Sequence, residues 1–161
     1  MTSTTSRPSA EIINPFVHST INALETMAFI KPGIGKPFLK NQNDPVCDVS
    51  GSIGLIGEIA GTINVNFETD VICKIVSNML GETHTEIDNT VVDAVGEIAN
   101  MVAGGAKGEM QGKGMNFNIA LPNVTVGHRH THAFPPDIPT IVIPFTTEQG
   151  AFTVEVCIRT N

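Results

Sequence analysis

Apolar residues change their spacing several times along this chain, and the changes mark its elements. Phe16, Val17, Thr20, Ile21, Leu24, Met27 and Ala28 recur at helical intervals. Asn14-Pro15 predicts the start of that helix, with Asn as N-cap and Pro in the first helical position. Pro32-Gly33 predicts its end, and residues 33–45, rich in Gly, Pro, Asn and Lys, predict a loop. Within 46–68 the period shortens. Ile53, Ile63, Val65 and Phe67 stand among Gly, Thr and Asn, which predicts two antiparallel strands joined near 58–61. Thr69-Asp70 opens a second helix carrying Val71, Ile72, Ile75, Val76, Met79 and Leu80, and Gly81 closes it.

A third helix is predicted over 88–110, capped by Asp88 or Asn89. Short strands follow at 115–121 and 124–127, then a polar, Pro-ended loop over 128–137. A hairpin pairs 138–146 with 151–160 across Glu148-Gln149-Gly150. Strands and helices do not alternate regularly, which excludes a doubly wound parallel sheet. The fold class expected is α+β, a mostly antiparallel sheet with about three helices packed on one face. Residues 1–10 are expected to form a flexible N-terminal tail and 11–161 one domain, in keeping with the length of 161 residues.

The third helix has two faces. At about 100° per residue, Val91, Val95, Ile98, Ala99, Val102 and Ala106 cluster on one side. Asp93, Glu97, Asn100, Gly104 and Lys107 form a narrow stripe on the other, each three or four residues from the next. A solvated polar face is the ordinary reading of such a stripe. Two features point instead to a functional face. Asn competes for backbone hydrogen bonds inside a helix, and Gly104 and Gly105 each weaken a helix by about 1 kcal/mol relative to Ala. A helix that accepts both is one that a partner approaches closely.

Composition narrows the partners. The net charge is −7 and the pI about 5.1, which disfavours a nucleic-acid function, since phosphate binding needs a basic face. All eight aromatics are Phe, so base-stacking platforms are disfavoured too. Charged residues are only 16%, and a sparsely charged surface often goes with a buried interface. Three cysteines, Cys47, Cys73 and Cys157, with no CxxC pair, suggest a reduced, cytoplasmic compartment and packing as small hydrophobes. The N-terminal segment has no apolar core, and no stretch approaches the ~18 apolar residues of a membrane span, so no membrane association is expected.

Several other patterns carry less. Gly51, Gly54 and Gly57 are not the dinucleotide fingerprint and are expected in a strand, marking a bulge or close packing. Residues 108–113 fall one residue short of a P-loop and lack its Ser/Thr. His128, His130 and His132 alternate, so an extended chain would place them on one face, able to bind Zn²⁺ or Ni²⁺. The bland reading, a polar loop with incidental histidines, is preferred, and no metal site is assigned. His18 and His84 have no partner by sequence and are expected to be exposed.

Asp93-x-x-x-Glu97-x-x-Asn100, followed by Pro122, resembles the signature of the CheC/CheX/FliY chemotaxis phosphatases. The resemblance extends from about Glu11 to Asn161. It takes in Ile12-x-Asn14-Pro15-Phe16, Gly61-Thr62-Ile63, Pro122-x-Val124-x-x-Gly127, residues 141–145, and Gly150-x-Phe152-x-Val154-Glu155-Val156. A single Glu-x-x-Asn helix, where CheC-like chains typically carry two, favours CheX.

The resemblance implies a phosphatase acting on the aspartyl phosphate of a phosphorylated CheY-like response regulator, so ending a chemotaxis or two-component signal. It gives Asn100 the placing of the attacking water and Glu97 the docking to the regulator's active-site lysine. Asp93, Gly104 and Lys107 would belong to the partner-binding face, and Pro122 would shape the turn beside the helix. It implies no cofactor of its own, the regulator supplying Mg²⁺, and a homodimer joined through sheet edges. An unpaired apolar edge such as 151–158 is costly to leave open. The alternative is a non-catalytic binding module that docks the regulator or a flagellar or chemoreceptor-modifying partner.

Overall fold

The computed structural model describes residues 10–41 and 46–160. Helix α1 (Ala10–Ala28) is followed by β1 (Gly33–Ile34), β2 (Phe38–Leu39), β3 (Cys47–Gly57) and β4 (Ile59–Phe67). Then come α2 (Thr69–Leu80), α3 (Asn89–Gln111), β5 (Phe117–Ile119), β6 (Asn123–His130), β7 (Ile141–Thr147) and β8 (Gly150–Thr160). The strands form one eight-stranded sheet in the order β1-β7-β8-β4-β3-β5, with β2 also on β7 and β6 also on β3, and every pairing is antiparallel. The α+β expectation holds. Helices α2 and α3 pack on the sheet, and α1 lies against α3.

The register explains how the two faces of the sheet differ. Ile53, Ile63, Val156 and Ile141 are paired in one row across β3, β4, β8 and β7. Gly51, Val65, Val154 and Ile143 form the next row of the same parity. The apolar members of these rows belong to the buried core beneath the helices. Because successive side chains point to opposite faces, the intervening rows, Ser52-Asn64-Glu155 and Ser50-Asn66-Thr153, lie on the side away from the helices. Those positions are polar, yet Ser50, Asn64, Asn66 and Glu155 are buried.

Several boundaries differ from the sequence expectation. Helix α1 starts by Ala10 rather than at Pro15, which lies inside it. Pro15 forfeits one intrahelical bond, to the Glu11 carbonyl. Ile12 and Ile13 are buried on that extra turn, and at about 1.5–3 kcal/mol each their burial offsets the loss. Residues 1–9 of the expected tail lie outside the described residues, and Ala10 is already helical. The segment expected as a loop over 33–45 contains β1 and β2, both held by β7, while 42–45 lie outside the described residues. Strand β6 runs on through His130, into the expected polar loop.

The sheet edge expected for a dimer at 151–158 is not an edge in the fold. β8 is interior, paired on both sides by β4 and β7. The outer strands are β5 and β6 on one side and β1 and β2 on the other. Among the described residues no helix is long and apolar enough to cross a membrane.

Candidate functional site

The site is built on α3. Asp88 caps the helix in extended backbone conformation, its Oδ1 accepting from the Val91 N–H at 2.9 Å. That hydrogen bond, with a lesser contribution from His84, holds the Asp88 carboxyl below its usual range despite some opposing desolvation. His84 is largely buried between Glu82 and Asp88, not exposed as its sequence context suggested. His18 is exposed but meets Glu109 at 3.1 Å.

Gly51 decides how closely α3 lies on the sheet. A Cβ there would sit 2.9 Å from the Ala99 Cβ and 3.1 Å from the Val95 carbonyl oxygen, so any side chain would lift the helix. This is the close packing expected of the β3 glycines. With Val91, Val95, Ile98, Ala99, Val102 and Ala106 buried below, the opposite stripe is turned outward. Asp93, Glu97 and Asn100 are exposed, and Gly104 and Lys107 are half-buried. The side chains of Asp93, Glu97, Asn100 and Lys107 make no hydrogen bond or ion pair with another described residue. A carboxylate and a carboxamide, one turn apart on a rigid helix, are thus presented without internal partners.

The two glycines on this helix differ. A Cβ at Gly105 would lie 2.3 Å from Ser19 Oγ, which donates to the Val102 carbonyl at 2.6 Å, so this glycine admits α1. A Cβ at Gly104 would meet nothing within 4 Å. Pro122 stands beside the stripe, and a Cβ at Gly96 would be 3.9 Å from Pro122 Cγ and 3.5 Å from Val124 Cγ2. Next to Pro122, Leu121 is 86% exposed. Sequence reasoning singled out neither Gly96 nor Leu121. The only signal for Leu121 was an apolar residue just before a proline.

On the sheet face away from the helices a second polar cluster is buried. Lys40 Nζ pairs with Glu155 Oε2 at 2.5 Å, and Glu155 Oε1 accepts from Asn64 and Asn66 at 3.2 and 3.0 Å. Beside it, Cys47, His130 and His132 converge, with their ligand atoms all within 4.8 Å of one another. Burial first, then the charge of Glu155, pushes the Cys47 thiol up to about 12. Burial also lowers the His132 imidazole. The three alternating histidines do not share a face. The register of β3 and β6 shifts between Cys47 and Val49, and Arg129 takes a φ of 47°. His128 is therefore left exposed beside Asp48, while His130 turns inward. All three cysteines are free and buried, as their packing role predicts.

The family model described as chemotaxis phosphatase CheX matches residues 49–146. The chain is 28% identical over 119 residues to the CheY-P phosphatase CheX of Thermotoga maritima, covering 73% of this chain and 77% of that protein. Among solved structures, chemotaxis protein CheX from Vibrio vulnificus is 37% identical with a TM-score of 0.87, over 93% of this chain and 100% of that one. The CheX of a CheX–CheY–BeF3–Mg²⁺ complex from Borrelia burgdorferi shares the fold, with a TM-score of 0.76 at 23% identity over 92% of this chain and 97% of that chain. The matched span includes the whole of α3 and the turn that carries Pro122, so the helix singled out by its polar stripe lies inside the span that the family model matches: the chain belongs to the chemotaxis phosphatase CheX family.

Proposed function

We propose that this chain, as one domain over 11–161, hydrolyses the aspartyl phosphate of a phosphorylated CheY-like response regulator. The observation that carries the reading is the exposed Glu97–Asn100 pair on α3, unpartnered within the described chain, in a member of a phosphatase family. The Thermotoga relative is named for CheY-P, and the Borrelia complex holds CheY and Mg²⁺.

The chemistry asks little of the phosphatase. Water attacks phosphorus, the P–O bond to the aspartyl carboxylate breaks, and the carboxylate leaves with the electron pair. The products are inorganic phosphate and the free regulator. The regulator brings its own carboxylates and Mg²⁺, so positioning is what remains to be supplied. The Asn100 carboxamide can accept from the water and donate to a phosphoryl oxygen. Glu97, one turn earlier, docks on the regulator's active-site lysine. Asp93, Gly104 and Lys107 extend the contact, and Pro122 holds the neighbouring turn against the helix. A hundredfold acceleration needs about 2.7 kcal/mol, within the reach of one well-placed hydrogen-bonding group. No metal on this chain enters these steps.

The same reading includes a homodimer joined edge to edge through β6. Among the described residues this strand is paired only with β3, and it exposes Val126, an edge that is costly to leave open. The activity is tested by following phosphate loss from candidate phospho-regulators with and without the protein. Acceleration of one of them supports the reading. Tight binding without acceleration supports the docking module instead.

A further inference from the structure

We infer that Cys47, His130 and His132 form a binding site for one Zn²⁺ ion, on the face of the sheet opposite the Glu97–Asn100 stripe. Ser50, at the centre of this cluster, follows the parity that points away from α3, whereas its neighbour Gly51 packs under Ala99. The site is therefore separate from the phosphatase surface.

The donor set is the first argument. A thiol sulfur and two imidazole nitrogens suit Zn²⁺ among the available divalent cations. Geometry is the second. Cys47 Sγ lies 3.5 Å from His130 Nε2. With Zn–S near 2.3 Å and Zn–N near 2.0–2.1 Å, the S···N edge of a tetrahedral site is roughly 3.5 Å.

The third argument is orientation. His130 Nδ1 is 2.5 Å from the Gly127 carbonyl oxygen, so Nδ1 carries the proton and Nε2 presents its lone pair to the cluster. A ligating histidine is characteristically held by this kind of outer hydrogen bond. His132 Nε2 turns to the same point, where it meets Ser50 Oγ, and His130 Nε2 lies 3.2 Å from that hydroxyl. The Ser50 hydroxyl can donate to one of these nitrogens and accept from the other, so the two imidazoles and the serine already point their polar atoms at one centre. A cation at the centre would engage both nitrogen lone pairs and the sulfur at once, leaving a fourth position for water or Ser50.

There is also a way in. His132 lines a cleft of about 790 Å³ formed with residues 39–41 and 133–140. Glu155 adds negative charge next to the cluster, partly opposed by Lys40. On binding, Cys47 gives up its thiol proton to solvent and ligates as thiolate. The ion would then pin the chain following β6 to the start of β3, tying 131–140 over the polar face.

The test uses the full-length chain, stripped with a chelator under reducing conditions and titrated with Zn²⁺ against a chromophoric competitor, with Co²⁺ as spectroscopic probe. The expected result is one equivalent of Zn²⁺ and, for Co²⁺, tetrahedral d–d bands with a thiolate-to-metal charge-transfer band. Cys47→Ser should abolish that band and weaken Zn²⁺ by more than about tenfold, while His128→Asn and Cys157→Ser leave both unchanged. His132 stands outside any strand, so His132→Ala repeats the affinity test where a change in β3 perturbs folding. Failure of the parent to bind one equivalent would overturn the site. So would a charge-transfer band that survives Cys47→Ser, or an affinity unmoved in His132→Ala.

Discussion

Gly105 and Ser19 bring α1 and α3 together so closely that a Cβ on the glycine would lie 2.3 Å from the serine Oγ, yet Gly104, next in the chain, faces open space. The first glycine is explained inside the chain and the second is not. Gly104 lies on the same stripe as Glu97 and Asn100. Gly104→Ala should raise stability by about 1 kcal/mol, the helix-propensity difference. If the regulator seats on this stripe, its affinity should fall in the same variant. Urea unfolding and a binding titration on one preparation check both. Greater stability with unchanged affinity removes Gly104 from the interface.

Asn100→Ala and Glu97→Ala should fail differently. Both residues face away from the core, so both variants should fold. Asn100→Ala should keep most regulator binding and bring hydrolysis down to nearly the regulator's own rate. Glu97→Ala should weaken binding by about 2–5 kcal/mol, the usual cost of cutting one partner from a desolvated charge pair. Phosphate release and complex formation are measured side by side. If Asn100→Ala retains more than about a tenth of the parental rate, a deficit under roughly 1.4 kcal/mol, Asn100 does not place the water.

The Lys40–Glu155 pair is a matter of stability rather than activity. Both side chains are buried, at 9% and 1% exposure. Lys40→Met would leave the carboxylate with Asn64 and Asn66 but without its cation. Loss of one member of a buried pair costs about 3–5 kcal/mol. Chemical denaturation should show this loss, with hydrolysis by the remaining folded protein near normal.

The cap of α3 makes stability depend on pH. The Asp88 carboxyl is held below its ordinary value of 3.8, chiefly by the Val91 N–H. Its contribution is therefore fully present above the unfolded-state value and is lost as pH falls through the lower folded-state value. Asn is also a good N-cap but does not titrate there. The stability difference between the parent and Asp88→Asn should change between pH 6 and pH 2 (about the range over which such carboxyls titrate), with the parent losing more on acidification. Urea unfolding across that range is the measurement, and parallel curves would show that the cap carboxylate is not the titrating group.

Self-association through β6 predicts a species of twice the 17.1 kDa chain mass. Val126→Lys, on the exposed edge, should shift it to monomer, since edge lysines oppose strand pairing. Sedimentation of parent and variant at micromolar concentration decides this. A monomeric parent rules the dimer out, and an unaffected dimer moves the interface away from β6.

Local chemistry was enough for much of this protein. The helical period of α2 and α3, the Gly81 stop, the Asp88 cap and the β7–β8 turn follow from positions within a few residues of one another. So does the polar stripe Asp93, Glu97, Asn100, Gly104 and Lys107, because a helix repeats its faces every three to four residues whatever surrounds it. The start of α1 differs from the local signal of Pro15 because Ile12 and Ile13 are buried in a helix that packs on α3, an element distant in the chain. The place of β8 inside the sheet was beyond reach, since pairing with β4 joins residues such as Ile63 and Val156 that are far apart in the chain. The buried polar face was hidden for the same reason. Alternation marks Ser50, Asn64, Asn66 and Glu155 as facing away from the helices, and only tertiary structure covers that side. Tertiary structure also separated the histidines. Cys47 lies 83 residues from His130, and the register shift beside it, with the left-handed Arg129, turned His128 out and His130 in. Periodicity reports which residues share a face, but long-range pairing decides what that face meets.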